Sequence, residues 1–260
     1  MKHIHRFFVS RELKTGMPVR LEPDDAFHAA AVLRLVEGDP VELADASGRV
    51  FEAVISGTGG NGGKGREVEA VARRRLTSQF RSGKAEVISL VVVQALPRGR
   101  KMDLIVEKLS EIGVARLVPV VSEKSIPASG RSQGGKVARW RRVARAGSAQ
   151  SKRAQIMSVD EPLRLDEWLG GDKGKLLVLA TELAGKPLGQ AMEEMRRASG
   201  RYAREITLVI GPEAGFSRSE VAMFKGRDAD FVSLGPWVLR TETAALVAAT
   251  VVMHRLGVIG

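Results

Sequence analysis

The chain contains no cysteine and only four histidines among 260 residues. Without a thiol there can be no disulfide framework, no thiolate zinc site, no iron–sulfur cluster and no cysteine nucleophile. His3, His5, His28 and His254 form no H-E-x-x-H pair, so no metal is expected. Long apolar runs are missing too. The longest, around Val87–Leu96 and Ala244–Met253, fall short of the roughly 20 residues that span a bilayer. The start, MKHIHRFFVSREL, lacks a signal-peptide core. The expectation is a soluble, cytoplasmic protein with no membrane partner. Acidic residues are also in deficit, 30 against 41 Lys and Arg, leaving a formal charge of +11. A field of that sign favours phosphate-rich partners such as nucleic acid, the ribosome or anionic lipid, and also serves solubility. What the chain does have is apolar bulk. At 44% hydrophobic it can bury a core, and its length suits one large domain or two smaller ones.

Up to about residue 75 the pattern is one of strands and turns. Val41–Leu43 and Val50–Ile55 flank the turn Asp45-Ala46-Ser47-Gly48, and Val68–Val71 reads as a third strand. Asp24 and Asp25 open a helix expected to run through Arg34 and to stop at Gly38-Asp39-Pro40. A small β-barrel with one short helix is the expectation for this part. The run from Gly57 to Gly62 matches G-x-G-x-x-G. A strand-like segment follows it rather than a helix, so it reads as a hairpin loop and not as a dinucleotide site.

Beyond a linker near 72–85 the period changes. Strands are expected at Val87–Ala95, Ala115–Val121, Leu176–Ala180, Ile206–Ile210 and Phe231–Leu234. Helices are expected at Met102–Ile112, Lys136–Ala149 and Leu188–Arg197. Another should follow the capping box Ser217-Arg218-Ser219-Glu220, and Thr241 should cap a last one ending near Leu256. Alternating strands and helices imply an α/β fold with a mostly parallel sheet.

Two features suggest chemistry. Between Lys124 and Val159 lie nine basic residues and no acidic one, among them Arg139, Arg142, Lys152 and Arg153. Missing counter-charges favour a polyanion over a merely solvated helix face. The other feature is a set of loops after predicted strands, the usual ligand edge of such a sheet. They are Thr181-Glu182, Gly211-Pro212-Glu213-Ala214-Gly215, and Gly235-Pro236-Trp237-Val238-Leu239-Arg240-Thr241-Glu242-Thr243. Each could be a turn and a cap; together they suggest a cofactor pocket without naming the cofactor.

These residues also carry a resemblance. His5-Arg6-Phe7-Phe8-Val9, His28–Arg34, Arg100-Lys101-Met102-Asp103, Glu107–Val114, Ser122–Ser125, Gln150–Arg153, Ile210–Gly215 and Leu234–Ala244 resemble, in order and spacing, the bacterial small-subunit ribosomal RNA uracil-N3 methyltransferases. That family belongs to the knotted SPOUT class, and the resemblance covers essentially the whole chain. It implies a PUA-like or OB-like β-barrel that holds RNA over 1–75, and an α/β trefoil-knot methyltransferase domain over 76–260. It implies a homodimer, S-adenosylmethionine as cofactor, and one uridine of 16S ribosomal RNA in the small subunit as substrate. The alternatives are the same fold methylating a ribose 2′-hydroxyl or another base, and a ribosome-assembly RNA-binding protein without turnover.

On the resemblance, Arg240 and Glu213 are the catalytic candidates. Thr181, Glu182, Gly211, Pro212, Gly215, Leu234, Gly235, Leu239 and Thr241 are the cofactor candidates. Arg6, Arg34, Lys101, Arg139, Arg142, Lys152 and Arg153 are the RNA candidates. Arg240 could instead pair with Glu242, and Glu213 could cap the helix near Ser217. Three departures stand out: Ala214 where the family has glycine, Trp237 where it commonly has a basic residue, and Ala149 where Glu is frequent. If position 214 needs a positive φ, its methyl costs about 1 kcal/mol.

Overall fold

The computed structural model describes residues 4–59, 67–76, 89–125, 133–171, 174–180, 183–200, 202–203 and 205–260. The chain divides into two compact units, residues 1–84 with 148–156, and residues 85–147 with 157–260. The recruitment of 148–156 to the first unit is not visible in a contiguous division at residue 75.

In the first unit the strands are β1 (His5–Phe8), β2 (Pro18–Arg20), β3 (Pro40–Ala44), β4 (Val50–Gly59) and β5 (Glu67–Leu76), ordered β1-β3-β4-β5-β2 in one sheet. β1 runs parallel to β3, and the other pairings are antiparallel. Two strands more than expected are present, both short and paired to partners far along the chain. Alternate residues of β4 and β5 turn inward, so Phe51, Ala53, Ile55, Val68, Ala70 and Ala72 join Phe7, Leu13 and Leu43 in a core. β4 and β5 pair out to Gly59 opposite Glu67, so a strand and not a helix follows the glycine run. Residues 60–66 of that run, and 77–85 of the expected linker, lie outside the described residues.

The expected helix from Asp24 is shorter and less regular than its pattern. Helix α1 (Pro23–Phe27) gives way to a π-helical turn over His28–Val32, in which Leu33 N bonds to the His28 carbonyl. The turn stops at Arg34, which takes φ +55, a left-handed conformation that usually belongs to glycine. Asp45 organises the turn after β3. Burial raises its pKa. The Leu13 amide, the Ser47 hydroxyl and the Arg49 side chain and amide outweigh that and hold it at about 2. Residues Ala149, Ala154 and Ile156 pack on Phe8, Ala44 and Val50, which fixes the returning segment to the sheet.

The second unit is a three-layer α/β sandwich. Its elements are β6 (Ser89–Ala95), α2 (Lys101–Glu111), β7 (Arg116–Val121), α3 (Gln133–Gln150, whose last residues count with the first unit), β8 (Ser158–Val159), β9 (Leu163–Arg164), α4 (Leu165–Leu169), β10 (Lys175–Leu179), β11 (Lys186–Pro187), α5 (Leu188–Ser199), β12 (Glu205–Ile210), α6 (Arg218–Lys225), β13 (Asp230–Ser233) and α7 (Thr241–Arg255). The sheet is parallel throughout, in the order β11-β13-β10-β12-β6-β7-β8, with β9 beside β7. Strands covered on both faces read as unbroken apolar runs, as Leu90–Val93 does. Leu90 and Val92 face a cluster with Ile105, Leu109, Trp140, Met192 and Ala248; Val91 and Val93 face Trp168, Phe216 and Phe224. Because every strand points the same way, β6, β7, β10, β12 and β13 all deliver their carboxyl ends to one edge. No described helix is long and apolar enough to cross a membrane.

Candidate functional site

Two of the loops that leave that edge carry most of the candidates, and the structure treats them differently. The loop after β12, Gly211–Phe216, is bonded along most of its length. Thr241 Oγ1 donates to the Gly211 carbonyl at 3.0 Å, and Gly211 N donates to the Leu179 carbonyl at 3.3 Å. Lys101 Nζ reaches Glu213 Oε1 at 2.8 Å, and the Arg98 amide reaches the same oxygen at 3.3 Å. Gly215 N closes a turn on the Pro212 carbonyl at 2.9 Å, and Lys124 Nζ donates to the carbonyls of Phe216 (2.8 Å) and Ala214 (3.3 Å). The left-handed residue of this turn is Gly215, with φ +70; Ala214 does not take a positive φ, so its methyl carries no such strain.

Thr241 is therefore not the helix cap expected of it. The N-cap of α7 is Arg240, and the Thr241 hydroxyl is spent on Gly211. That hydroxyl accepts in turn from Gln94 Nε2 at 3.0 Å, and Gln94 Nε2 also donates to the Ala95 carbonyl at 2.8 Å. Both neighbours need a donor, so the amide cannot be turned round. Gln94 Oε1 is left buried with no hydrogen-bond partner among the described residues. Glu213 does not cap α6 either. Ser217 and Glu220 form that cap themselves, with Ser217 N to Glu220 Oε2 at 2.8 Å and Glu220 N to Ser217 Oγ at 3.1 Å. The buried Glu220 carboxylate also accepts from Glu123 N at 2.8 Å, tying the segment after β7 to α6.

The electrostatics follow from this. Burial pushes the Glu213 pKa up, but the Lys101 hydrogen bond, its own and the Arg98 amides, and the Lys101 charge hold it below the ordinary carboxylate value. Lys101 is pushed above its ordinary value, chiefly by its hydrogen bond to Glu213, with Glu242 adding to it. Its ammonium lies 3.4 Å from Glu242 Oε2, on the first turn of α7.

The second loop, Leu234–Arg240 after β13, is held far less. The Ser233 hydroxyl bonds to the amide and carbonyl of Gly235, whose φ is +116. Trp237 and Val238 are 81% and 83% exposed. The Arg240 side chain is exposed and has no hydrogen bond or ion pair among the described residues; Glu242 turns to Lys101 instead. Leu234 and Leu239 are half-buried, and Thr181 and Glu182 lie outside the described residues.

The basic candidates scatter. In the first unit Arg6 bonds to Glu42 at 2.8–2.9 Å and to the Lys152 carbonyl, with its side chain only 10% exposed. Lys152 bonds to the same carboxylate at 3.0 Å and to the Ile4 carbonyl. Arg153 is partly buried, which lowers its pKa to about 10. Arg34 is exposed. In the second unit Arg139 pairs with Asp103 at 2.8 Å, and Arg141 with Glu161 at 3.1 Å, while Arg142 is exposed and has no ion pair among the described residues. The run that lacks acidic residues locally thus draws counter-charges from distant segments. Gln94 and Lys124 were not among the site candidates. A lone glutamine inside an apolar strand run was the available signal for the first; nothing local pointed to the second as a loop anchor.

Residues 84–253 match the RNA methyltransferase domain family. A Mycobacterium bovis protein named ribosomal RNA small subunit methyltransferase E is 31% identical over 243 residues, covering 93% of this chain and 88% of its own length. The Neisseria gonorrhoeae protein of the same name, solved bound to S-adenosyl methionine, has a TM-score of 0.78 at 25% identity and covers 97% of this chain and 98% of its own. A Legionella pneumophila structure described as a methyltransferase with bound SAM has a TM-score of 0.80, also at 25% identity, with coverages of 97% and 98%. The parallel α/β unit is of the kind typical of SPOUT methyltransferases. By sequence along nearly its full length and by fold, the chain belongs to the RNA methyltransferase family, among the ribosomal RNA small subunit methyltransferases E.

Proposed function

We propose that the protein transfers a methyl group from S-adenosylmethionine to N3 of one uridine in 16S ribosomal RNA of the small subunit. The observation that carries this reading is the pairing of a loop bonded along most of its length, Gly211–Phe216, with a second loop ending in an arginine whose side chain has no partner among the described residues. The residues suit the cofactor. Gly235 stands at φ +116 with open space where a Cβ would be, so a ligand can approach its backbone closely. The buried orphan Gln94 Oε1 is an acceptor still to be satisfied near the same edge. Gly211 spends both its backbone groups inside the protein and would act through shape, and Pro212, Gly215, Leu234, Leu239 and Thr241 would supply further cofactor contacts; Thr181 and Glu182 lie outside the described residues.

When bound, S-adenosylmethionine supplies an electrophilic methyl on a sulfonium. Uracil N3 carries a proton and has no free lone pair until that proton passes to water, so the protein's task is to favour the anion and align it. Arg240, exposed and without a side-chain partner among the described residues, would meet negative charge developing on the uracil oxygens. Glu213 is a poor base, because its neighbours hold it ionised; its role is to orient groups at the site. The exposed Trp237 offers a face on which a base can stack, in place of the basic residue common in the family.

RNA contacts are assigned to Arg34 and Arg142 first, since Glu42 largely consumes Arg6 and Lys152 and Asp103 pairs with Arg139. Closure of the first sheet as a barrel, a trefoil knot in the second unit, a homodimer and a cytoplasmic location belong to the same reading. The test is methyl transfer from labelled S-adenosylmethionine to small subunits lacking the modification, followed by nucleoside mass spectrometry. N3-methyluridine at one per subunit is expected. A different methylated nucleoside would move the specificity, and no product at all beside an active control would leave only an RNA-binding protein.

A further inference from the structure

We propose that Lys101 is a positioning residue of the cofactor site and not an RNA contact, an inference that rests on the methyltransferase reading above. Basic residues of an RNA enzyme are naturally assigned to phosphate, and the local sequence Arg98-Gly99-Arg100-Lys101 invites that assignment. The geometry points elsewhere. Lys101 is the first residue of α2, where a cation opposes the positive end of the helix dipole. Its place there is explained by what its ammonium does. It sits between Glu213 of the loop after β12, at 2.8 Å, and Glu242 of the first turn of α7, at 3.4 Å.

The ammonium donates to Glu213 and forms an ion pair with Glu242, whose buried Oε2 has no hydrogen-bond partner among the described residues. A phosphate arriving at Lys101 would bring negative charge beside both carboxylates, which disfavours it. The ties continue inward. Thr241, the residue before Glu242, bonds to the Gly211 carbonyl and accepts from Gln94. One side chain therefore links α2, the loop after β12 and the start of α7. Removing its charge leaves two nearby carboxylates without the cation they share and loosens Glu213, which keeps only backbone amides, its own and that of Arg98. The effect should fall on the shape of the cofactor site.

The experiment measures two equilibria on the full chain: S-adenosylmethionine binding by calorimetry, and binding of a 16S ribosomal RNA transcript as a function of salt. Lys101→Met is expected to weaken cofactor binding about tenfold, the scale of a lost hydrogen bond between charged groups. The slope of RNA affinity against salt should not change. Lys101→Arg should recover most of the cofactor affinity, and Lys101→Met with Glu242→Gln should recover part of it by removing the repulsion. A general loss of folding would show neither recovery. The inference is overturned if Lys101→Met leaves cofactor affinity intact, and more sharply if it also flattens the salt slope by about 0.7–0.9, the signature of one lost phosphate contact. Should the wild-type protein itself fail to bind S-adenosylmethionine, the methyltransferase reading falls and this inference falls with it.

Discussion

The loops after β12 and β13 begin at the same sheet edge, and both carry family motifs, yet they are built on opposite plans. Gly211–Phe216 is fastened by Thr241, Lys101, Lys124 and the Arg98 amide. Leu234–Arg240 is fastened at its root by Ser233 and then presents Trp237, Val238 and Arg240 to the outside. The difference separates two jobs. A loop that must hold a shape before the ligand arrives is bonded in advance, which lowers the ordering cost on binding. A loop whose side chains act on something outside the chain keeps those side chains uncommitted.

Substitutions in each loop should therefore fail in different ways. The largest effect is expected from Arg240→Ala, which removes the uncommitted cation. Turnover on small subunits should fall at least about 100-fold, on the scale of a lost charge-stabilising donor. Wild-type turnover would end the assignment. Next comes Thr241→Val, which leaves the Gly211 carbonyl and Gln94 Nε2 without their partner, at a cost of about 1–3 kcal/mol. Cofactor affinity should drop about tenfold, and calorimetry showing no change would mean the fastening is idle. Gly235→Ala forces an L side chain into φ +116, with strain of about 1–3 kcal/mol. A loss of cofactor affinity of a few-fold is expected, and unchanged binding would place this backbone away from the ligand. The smallest effect is on stability. Trp237→Ala should shift unfolding by no more than about 0.5 kcal/mol, because the indole packs on little. A large drop in denaturant midpoint would show that the second loop is fastened after all.

Much of the fold is legible in the sequence, and the exceptions share a physical cause. Five strands of the parallel sheet announce themselves as apolar runs, and the Ser217–Glu220 box announces α6, because both signals are local; β8, β9 and β11, two residues each, carry no such signal. β1 and β2 are short, and their partners are remote in sequence, so nothing nearby predicts the pairing. The segment 148–156 joins the first unit for the same reason. Within the site, the glycine-containing loops stand out by composition. The commitments of the charged residues do not: Asp103, Glu161 and Glu42 neutralise residues 36, 20 and 110 positions away, so a run that reads as uncompensated is partly compensated in space. The π-helical turn before Arg34 is equally invisible, since the local pattern fits an ordinary helix.

The division between the fastened and the free loop meets its most direct test in one binding isotherm, that of S-adenosylmethionine with Arg240→Ala. If the second loop's arginine serves the transfer and the first loop shapes the cofactor site, the curve will lie within about threefold of wild type, a difference of under 1 kcal/mol. A loss of tenfold or more would contradict the account, because Arg240 would then belong to the cofactor site itself.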